Sequence, residues 1–260
     1  MALAPALFVS HGAPPFANEP GDLGQALATF GQRLATTEAI VVISPHWQTK
    51  GLCVSGSPSP DTIDDFFGFD PALHQLRYEA RGSMNVAQSV RQTLASAGLG
   101  SEIDPHRGMD HGIWIPLRHM RPQADIPVVC VSLPIGITSA QAFHLGQALA
   151  PLRQQSIMIM GSGSLTHNLH EFRRDKANVA QAYVKEFSAW VQMQLAKRDV
   201  DAIINYRALA PHAKRAHPTE EHWLPLLIAL GASNEDDQIQ TLSTEVRHGV
   251  LSMASFAWAT

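Results

Sequence analysis

Four histidines of this sequence share one kind of position. His11 follows the apolar run ALFVS, His46 follows AIVVISP, His167 follows IMIMGSGSLT, and His222 lies in HPTEEHWLPLL at the start of a second apolar pattern. Imidazole titrates near neutrality, and the neutral ring is the commonest protein ligand for metals, serving Fe, Zn, Cu and Ni alike. Three or four such rings meeting at one point could hold a divalent ion with coordination positions left open for substrate or water. Taken singly, each of the four is also what an ordinary hydrogen-bonded loop carries. Their common placement, in a chain with 13 histidines among 260 residues, is what points to a metal.

His111 stands apart, in GMDHGIWIP, with Asp110 before it and Gly108 and Gly112 on either side. Glycine lets backbone approach a ligand closely, and a histidine there suits proton transfer; the alternative is a turn whose polar groups only satisfy the backbone. The segment GSGSLTHN has the look of an anion-cradling loop but lacks both the Walker ending and the G-x-G-x-x-G spacing. Gly161 and Gly163 more simply allow a tight turn that presents His167. No G-x-S-x-G elbow is present to make a serine hydrolase. Cys53 and Cys130 lie in apolar runs without Cys-x-x-Cys spacing, so reduced, buried thiols are expected.

These side chains need elements to carry them. Short apolar runs at residues 6–10, 39–44, 127–133 and 157–162 read as buried strands. Longer amphipathic patterns at 22–36, 85–97, 139–154 and 177–197 read as helices; in the second, Val86, Val90 and Leu94 fall on one face. A last helix is expected over 218–230, with Thr219 as its N-cap. Alternating strands and helices with near-continuous apolar strands predict an α/β fold, a three-layer α/β/α arrangement around a largely parallel, mixed sheet. In such sheets ligands bind beyond the carboxyl ends of the strands, so histidines distant in sequence can converge there.

Composition bounds the rest. The apolar share is 45% and the charged share 16%, which allows a large core and excludes global disorder. A net charge of −4 lacks the basic field of a nucleic-acid binder. No stretch reaches the roughly 18 apolar residues of a membrane span, and the N-terminus lacks a basic, then apolar, leader pattern, so a cytoplasmic protein is expected. Without repeats, charge blocks or a linker, residues 1–260 read as one domain. The sequence carries no signature of an oligomeric state.

The same residues resemble a known family. The segments PALFVSHGAPP, AIVVISPHW, TIDDFFGFDPAL, GMDHGIWIPL, ADIPVVCVSL, GSGSLTHNL, HPTEEHWLPLLIALGA and VLSMASFAW follow one another from residue 5 to residue 258. Together they resemble class III extradiol ring-cleavage dioxygenases, in the 4,5-DOPA dioxygenase extradiol-like branch. The resemblance implies one divalent metal per chain held by His11, His46 and a third ligand from EEHWLP. That ligand is a glutamate in the protocatechuate-cleaving branch and corresponds to His222, rather than Glu221, in the DOPA-type pattern. It implies that His167 is either a further ligand or an acid/base, and that His111 lines the substrate pocket. Asp65, Phe66 and Phe69 are candidates for the pocket wall, and Asp64 stands where some relatives have histidine or tyrosine.

The activity so implied is ring opening of a DOPA-like catechol by O2 to a muconic semialdehyde. Fe(II) is expected for turnover and Zn(II) as a metal the same site would also bind. A zinc-dependent hydrolase using metal-bound water and His167 as base, or a metal-binding protein without turnover, uses the same donors.

Overall fold

A computed structural model of the protein describes residues 3–172 and 179–260. In chain order the strands are β1 (Ala6–Ser10), β2 (Ala39–Thr49), β3 (Leu52–Ser55), β4 (Ser101–Asp104), β5 (Val128–Pro134), β6 (Ile157–Gly163), β7 (Gln238–Ser243), β8 (Val246–Arg247), β9 (Leu251–Ser252) and β10 (Ser255–Ala259). The helices are α1 (Gly21–Gly31), α2 (Met84–Ser96), α3 (His111–Met120), α4 (Ser139–Leu149), α5 (Ala182–Lys197), α6 (Val200–Ile204), α7 (Tyr206–Leu209), α8 (Ala213–Ala216) and α9 (Leu224–Ala232). Eight strands form one mixed sheet in the order β4-β3-β5-β2-β6-β1-β10-β7. Its centre, β5-β2-β6-β1, is parallel throughout, while β10 and β7 extend it antiparallel.

The central strands alternate strictly between two cores, as a period of two requires of a sheet covered on both faces. Phe8, Val41, Val131 and Ile159 pack on one side with α2, α4, α5 and α9. Leu7, Val9, Val42, Cys130, Met158 and Met160 pack on the other with α1 and α3. The result is the expected three-layer α/β/α fold. Cys130 is buried, and burial pushes its thiol up to about 12, so it behaves as a small core hydrophobe.

Helix ends follow local chemistry. Ser83 caps α2 through the Val86 N–H, and Thr138 with Gln141 forms a capping box on α4. A buried clasp closes the amino-end side of the sheet. Arg153 donates to both carboxylate oxygens of Asp237, at 2.6 and 2.8 Å, and to the carbonyls of Ala4 and Ala232.

Several expectations shift. The helices expected over 22–36 and 139–154 stop at Gly31 and Leu149, each continuing only as a tighter 3-10 turn. Residues 177 and 178 of the expected 177–197 helix lie outside the described residues; α5 begins at Ala182. The last helix begins at Leu224 rather than 218, and Thr219 does not cap it, because its hydroxyl donates to Glu221. α3 was not expected, since Gly112 and Pro116 both weaken a helical pattern. Among the described residues, no helix is long and apolar enough to cross a membrane.

Candidate metal centre

The parallel register brings the carboxyl ends of β1, β2 and β6 to one edge of the sheet, and three of the five histidines, His11, His46 and His167, extend from or just beyond those strands. His11 follows β1, two residues after Val9, and so faces the α3 side; it is almost wholly buried. β2 is longer than its apolar run because it resumes pairing after a bulge. Ile43 pairs with Val131 and Gln48 with Leu133, five residues along β2 against two along β5. The surplus lifts Ser44–Trp47 out of the ladder and presents His46. Ser44 anchors that bulge to the start of α3: its hydroxyl donates to buried Asp110 at 2.7 Å and accepts from the His46 N–H. Asp110 is in turn held by Arg107 at 2.6 Å.

His111 is the first residue of α3 rather than part of a loop. Asp65, from the TIDDFFGF segment, accepts both its backbone N–H at 2.9 Å and its ring Nδ1–H at 3.0 Å. One carboxylate therefore fills an orphan donor of the helix start and fixes the ring. Burial pushes the Asp65 carboxyl up, but its hydrogen bonds from His111 prevail and hold it below the usual range. An ionised carboxylate only accepts, so His111 carries a proton on Nδ1, and its Nε2 is the atom left for the cavity.

His222 lies in a turn two residues before α9, not inside a helix. Its Nδ1 donates to Glu221 at 3.0 Å, so Glu221 sits behind the ring, while its Nε2 is buried without a hydrogen-bond partner. His11 Nε2 and His46 Nε2 are 3.3 Å apart, and the His222 ring centroid lies 5.3 and 5.1 Å from theirs. Ligand atoms of these three residues fall within 4.8 Å of one another.

His167 stacks face to face on His222, with centroids 3.5 Å apart and planes inclined by 11°. A metal lies in the plane of each imidazole that binds it, at about 2 Å from nitrogen. Planes so nearly parallel meet far beyond that reach. His167 must turn off the His222 face to become a fourth ligand of the same ion.

Electrostatics favours neutral rings. Burial, then the neighbouring imidazoles, lowers His11 and His222 well below the ordinary value. Burial, then the neighbouring His111 imidazole, lowers His46 to about 4, and burial, then His217, lowers His167 to about 3. Neutral imidazole is the form that donates a lone pair to a metal. With the orphaned buried Nε2 of His222, this donor set fits a divalent ion.

The five histidines open onto a cavity of about 420 Å³ walled by Ala13, Pro14, Phe66, Phe69, Leu169, Phe172 and Leu251. Phe66 and Phe69 thus line it, whereas Asp65 stands behind His111. Asp64 pairs with His74 at 2.5 Å. The sequence signals do not reveal the partners behind the rings: Asp65 is expected there only as pocket wall, and Ser162 of GSGSLTHN, expected as part of a strand and a turn, contacts His11.

An imidazole cluster at the strand ends of an α/β sheet, beside an aromatic cavity, is the layout of a metal-dependent enzyme acting on a small molecule. Residues 9–257 match the family of the catalytic LigB subunit of aromatic ring-opening dioxygenase. The chain is 35% identical over 253 residues to the 4,5-DOPA dioxygenase extradiol of Beta vulgaris, covering 96% of this chain and 94% of that one. It is 34% identical to the 4,5-DOPA dioxygenase extradiol of Escherichia coli strain K12, over 96% and 93% of the two chains. The crystal structure of an uncharacterized Escherichia coli K12 protein matches with a TM-score of 0.82 at 30% identity, covering 98% and 99%. The chain belongs to the LigB family of aromatic ring-opening dioxygenases.

Proposed function

We propose that the protein is an extradiol dioxygenase that opens the ring of a DOPA-like catechol with O2 to give a muconic semialdehyde. The observation that carries this reading is the convergence of His11, His46 and the partnerless Nε2 of His222 at the floor of an aromatic-walled cavity. These three rings would hold one divalent ion, Fe(II) for turnover. Such an ion would supply what no side chain can, redox chemistry that passes electron density from the catechol to O2.

The chain's own groups handle position and protons. Phe66, Phe69 and Phe172 present faces and edges to a planar ring and exclude water from it. A catechol hydroxyl must lose a proton on binding, and His111 Nε2 is set to interact with that oxygen. Asp65 behind it stabilises the charge that proton uptake would create, as a carboxylate does for a catalytic imidazole. His167, neutral and stacked on His222, serves as the second acid/base. Two imidazoles let a proton be taken from substrate and returned to the ring-opened product.

The test is anaerobic reconstitution with Fe(II), then O2 uptake with a panel of catechols. Uptake with yellow semialdehyde formation is expected. Background uptake for every catechol, with Zn(II) supporting ester or amide hydrolysis instead, would replace this reading with the hydrolase. His167→Ala is expected to keep the metal and lose turnover; loss of metal would make His167 a ligand.

A further inference from the structure

Pro116 stands in the middle of α3, and a proline there has no N–H to give the carbonyl four residues back. That carbonyl belongs to Gly112, and it does not go unpaired: the hydroxyl of Ser162 donates to it. Ser162 is fully buried in β6, two residues beyond Met160 and therefore on the α3 face of the sheet. Its oxygen lies 3.0 Å from His11 Nδ1.

We infer that Ser162 is a positioning residue that locks His11 as the Nδ1–H tautomer and so aims its Nε2 lone pair at the metal. The inference rests on the reading of His11 as a metal ligand. Its logic is a count of protons. A serine hydroxyl has one proton and two lone pairs, and a carbonyl oxygen can only accept. The Ser162 proton is therefore committed to Gly112, which leaves its oxygen only an acceptor's role toward His11. The hydrogen bond at Nδ1 then requires a proton on Nδ1. A neutral imidazole carries one proton, so Nε2, the atom 3.3 Å from His46 Nε2, holds the lone pair.

A helix-breaking residue in α3 thus sets the tautomer of a histidine after β1. The proline opens a carbonyl, the carbonyl orients a hydroxyl, and the hydroxyl orients a ring. Two of the other rings are oriented by carboxylates, His222 by Glu221 and His111 by Asp65. His11 is held by a neutral group, which fixes direction without adding negative charge behind the ligand.

Two measurements test this on the full chain. In metal-free protein with 15N-labelled histidine, ring-nitrogen NMR is expected to show His11 protonated on Nδ1. In Ser162→Ala the Nδ1 proton loses its acceptor, and the Nε2–H form, able to donate to His46, is expected to appear. Zn(II) affinity by chelator competition is expected to fall roughly 10- to 100-fold, the usual loss when a ligand's outer partner is removed. Ser162→Cys, similar in size but a weak hydrogen-bonding group, gives the same two readouts if the alanine variant fails to fold. Wild-type affinity in Ser162→Ala, or weakened affinity with His11 still protonated on Nδ1, would overturn the inference. His11→Ala is the control that separates the two ideas: undiminished Zn(II) affinity there would remove the ligand reading itself.

Discussion

Replacing Gly112 by alanine probes the proposed metal centre with a single methyl group. Gly112 is the second residue of α3, and a Cβ there would lie 2.8 Å from Ser44 Oγ, 3.0 Å from His11 Nδ1 and 3.0 Å from His46 Cδ2. Ordinary contact begins near 3.4 Å, so both imidazoles must retreat by about 0.4 Å, and the Ser44 hydroxyl by somewhat more. Metal–ligand distances tolerate deviations of only about 0.2 Å. The displacement therefore exceeds what such a centre can absorb, and it acts on two of the proposed ligands at once. A loss of at least about tenfold in affinity is expected, equivalent to about 1.4 kcal/mol or more.

Fold stability should respond differently. Alanine gains about 1 kcal/mol over glycine inside a helix, while overpacking costs about 1–3 kcal/mol, so the two largely offset. The expected signature is a metal-free protein whose urea midpoint moves little, with Zn(II) binding at least about tenfold weaker in chelator competition. Substituted Co(II), whose visible absorption reports coordination, should show an altered spectrum. Wild-type affinity together with a wild-type Co(II) spectrum would refute the reasoning, because the ligands would then not lie where the Cβ meets them.

Three further outcomes follow from particular contacts. The metal-free protein should lose stability as pH falls. His46 and His167 are neutral when folded down to about 4 and about 3, whereas the unfolded chain charges below 6.5, so the unfolded state binds more protons in that window. His46 alone contributes up to about 3 kcal/mol at pH 7 that is gone by pH 4, and a urea midpoint unchanged between those values would contradict it. His222→Ala should abolish stoichiometric metal, and Glu221→Ala, which removes the acceptor behind that ring, should weaken it about 10- to 100-fold. Unchanged metal content in His222→Ala would exclude His222 as a ligand. Arg153→Ala leaves fully buried Asp237 without its partner and should cost about 3–5 kcal/mol, read by urea denaturation, with metal affinity intact. A shift below about 1 kcal/mol would mean that the pair is dispensable.

The layers, and the candidate donors, are legible in the residues alone. Apolar runs at residues 6–10, 39–44, 127–133 and 157–162 are strands because a strand buried on both faces needs little beyond continuous apolar content. Histidines placed after three of those runs are informative because a parallel sheet gathers strand ends. Eight ordered segments carry the family resemblance, and the family match over residues 9–257 agrees with it.

What lies behind those donors was decided only in three dimensions. The bulge that presents His46 is a mismatch between two strands, 5 residues on one against 2 on the other, and neither strand contains it alone. α3 defied its own glycine and proline because packing between α1 and the sheet outweighs propensity, and because Ser162 supplies the hydrogen bond that Pro116 cannot make. Asp65 reaches His111 across 46 positions of sequence and Ser162 reaches His11 across 151. A donor's type is written at its own position, but its tautomer and its aim depend on hydrogen bonds to residues that only the folded chain brings near.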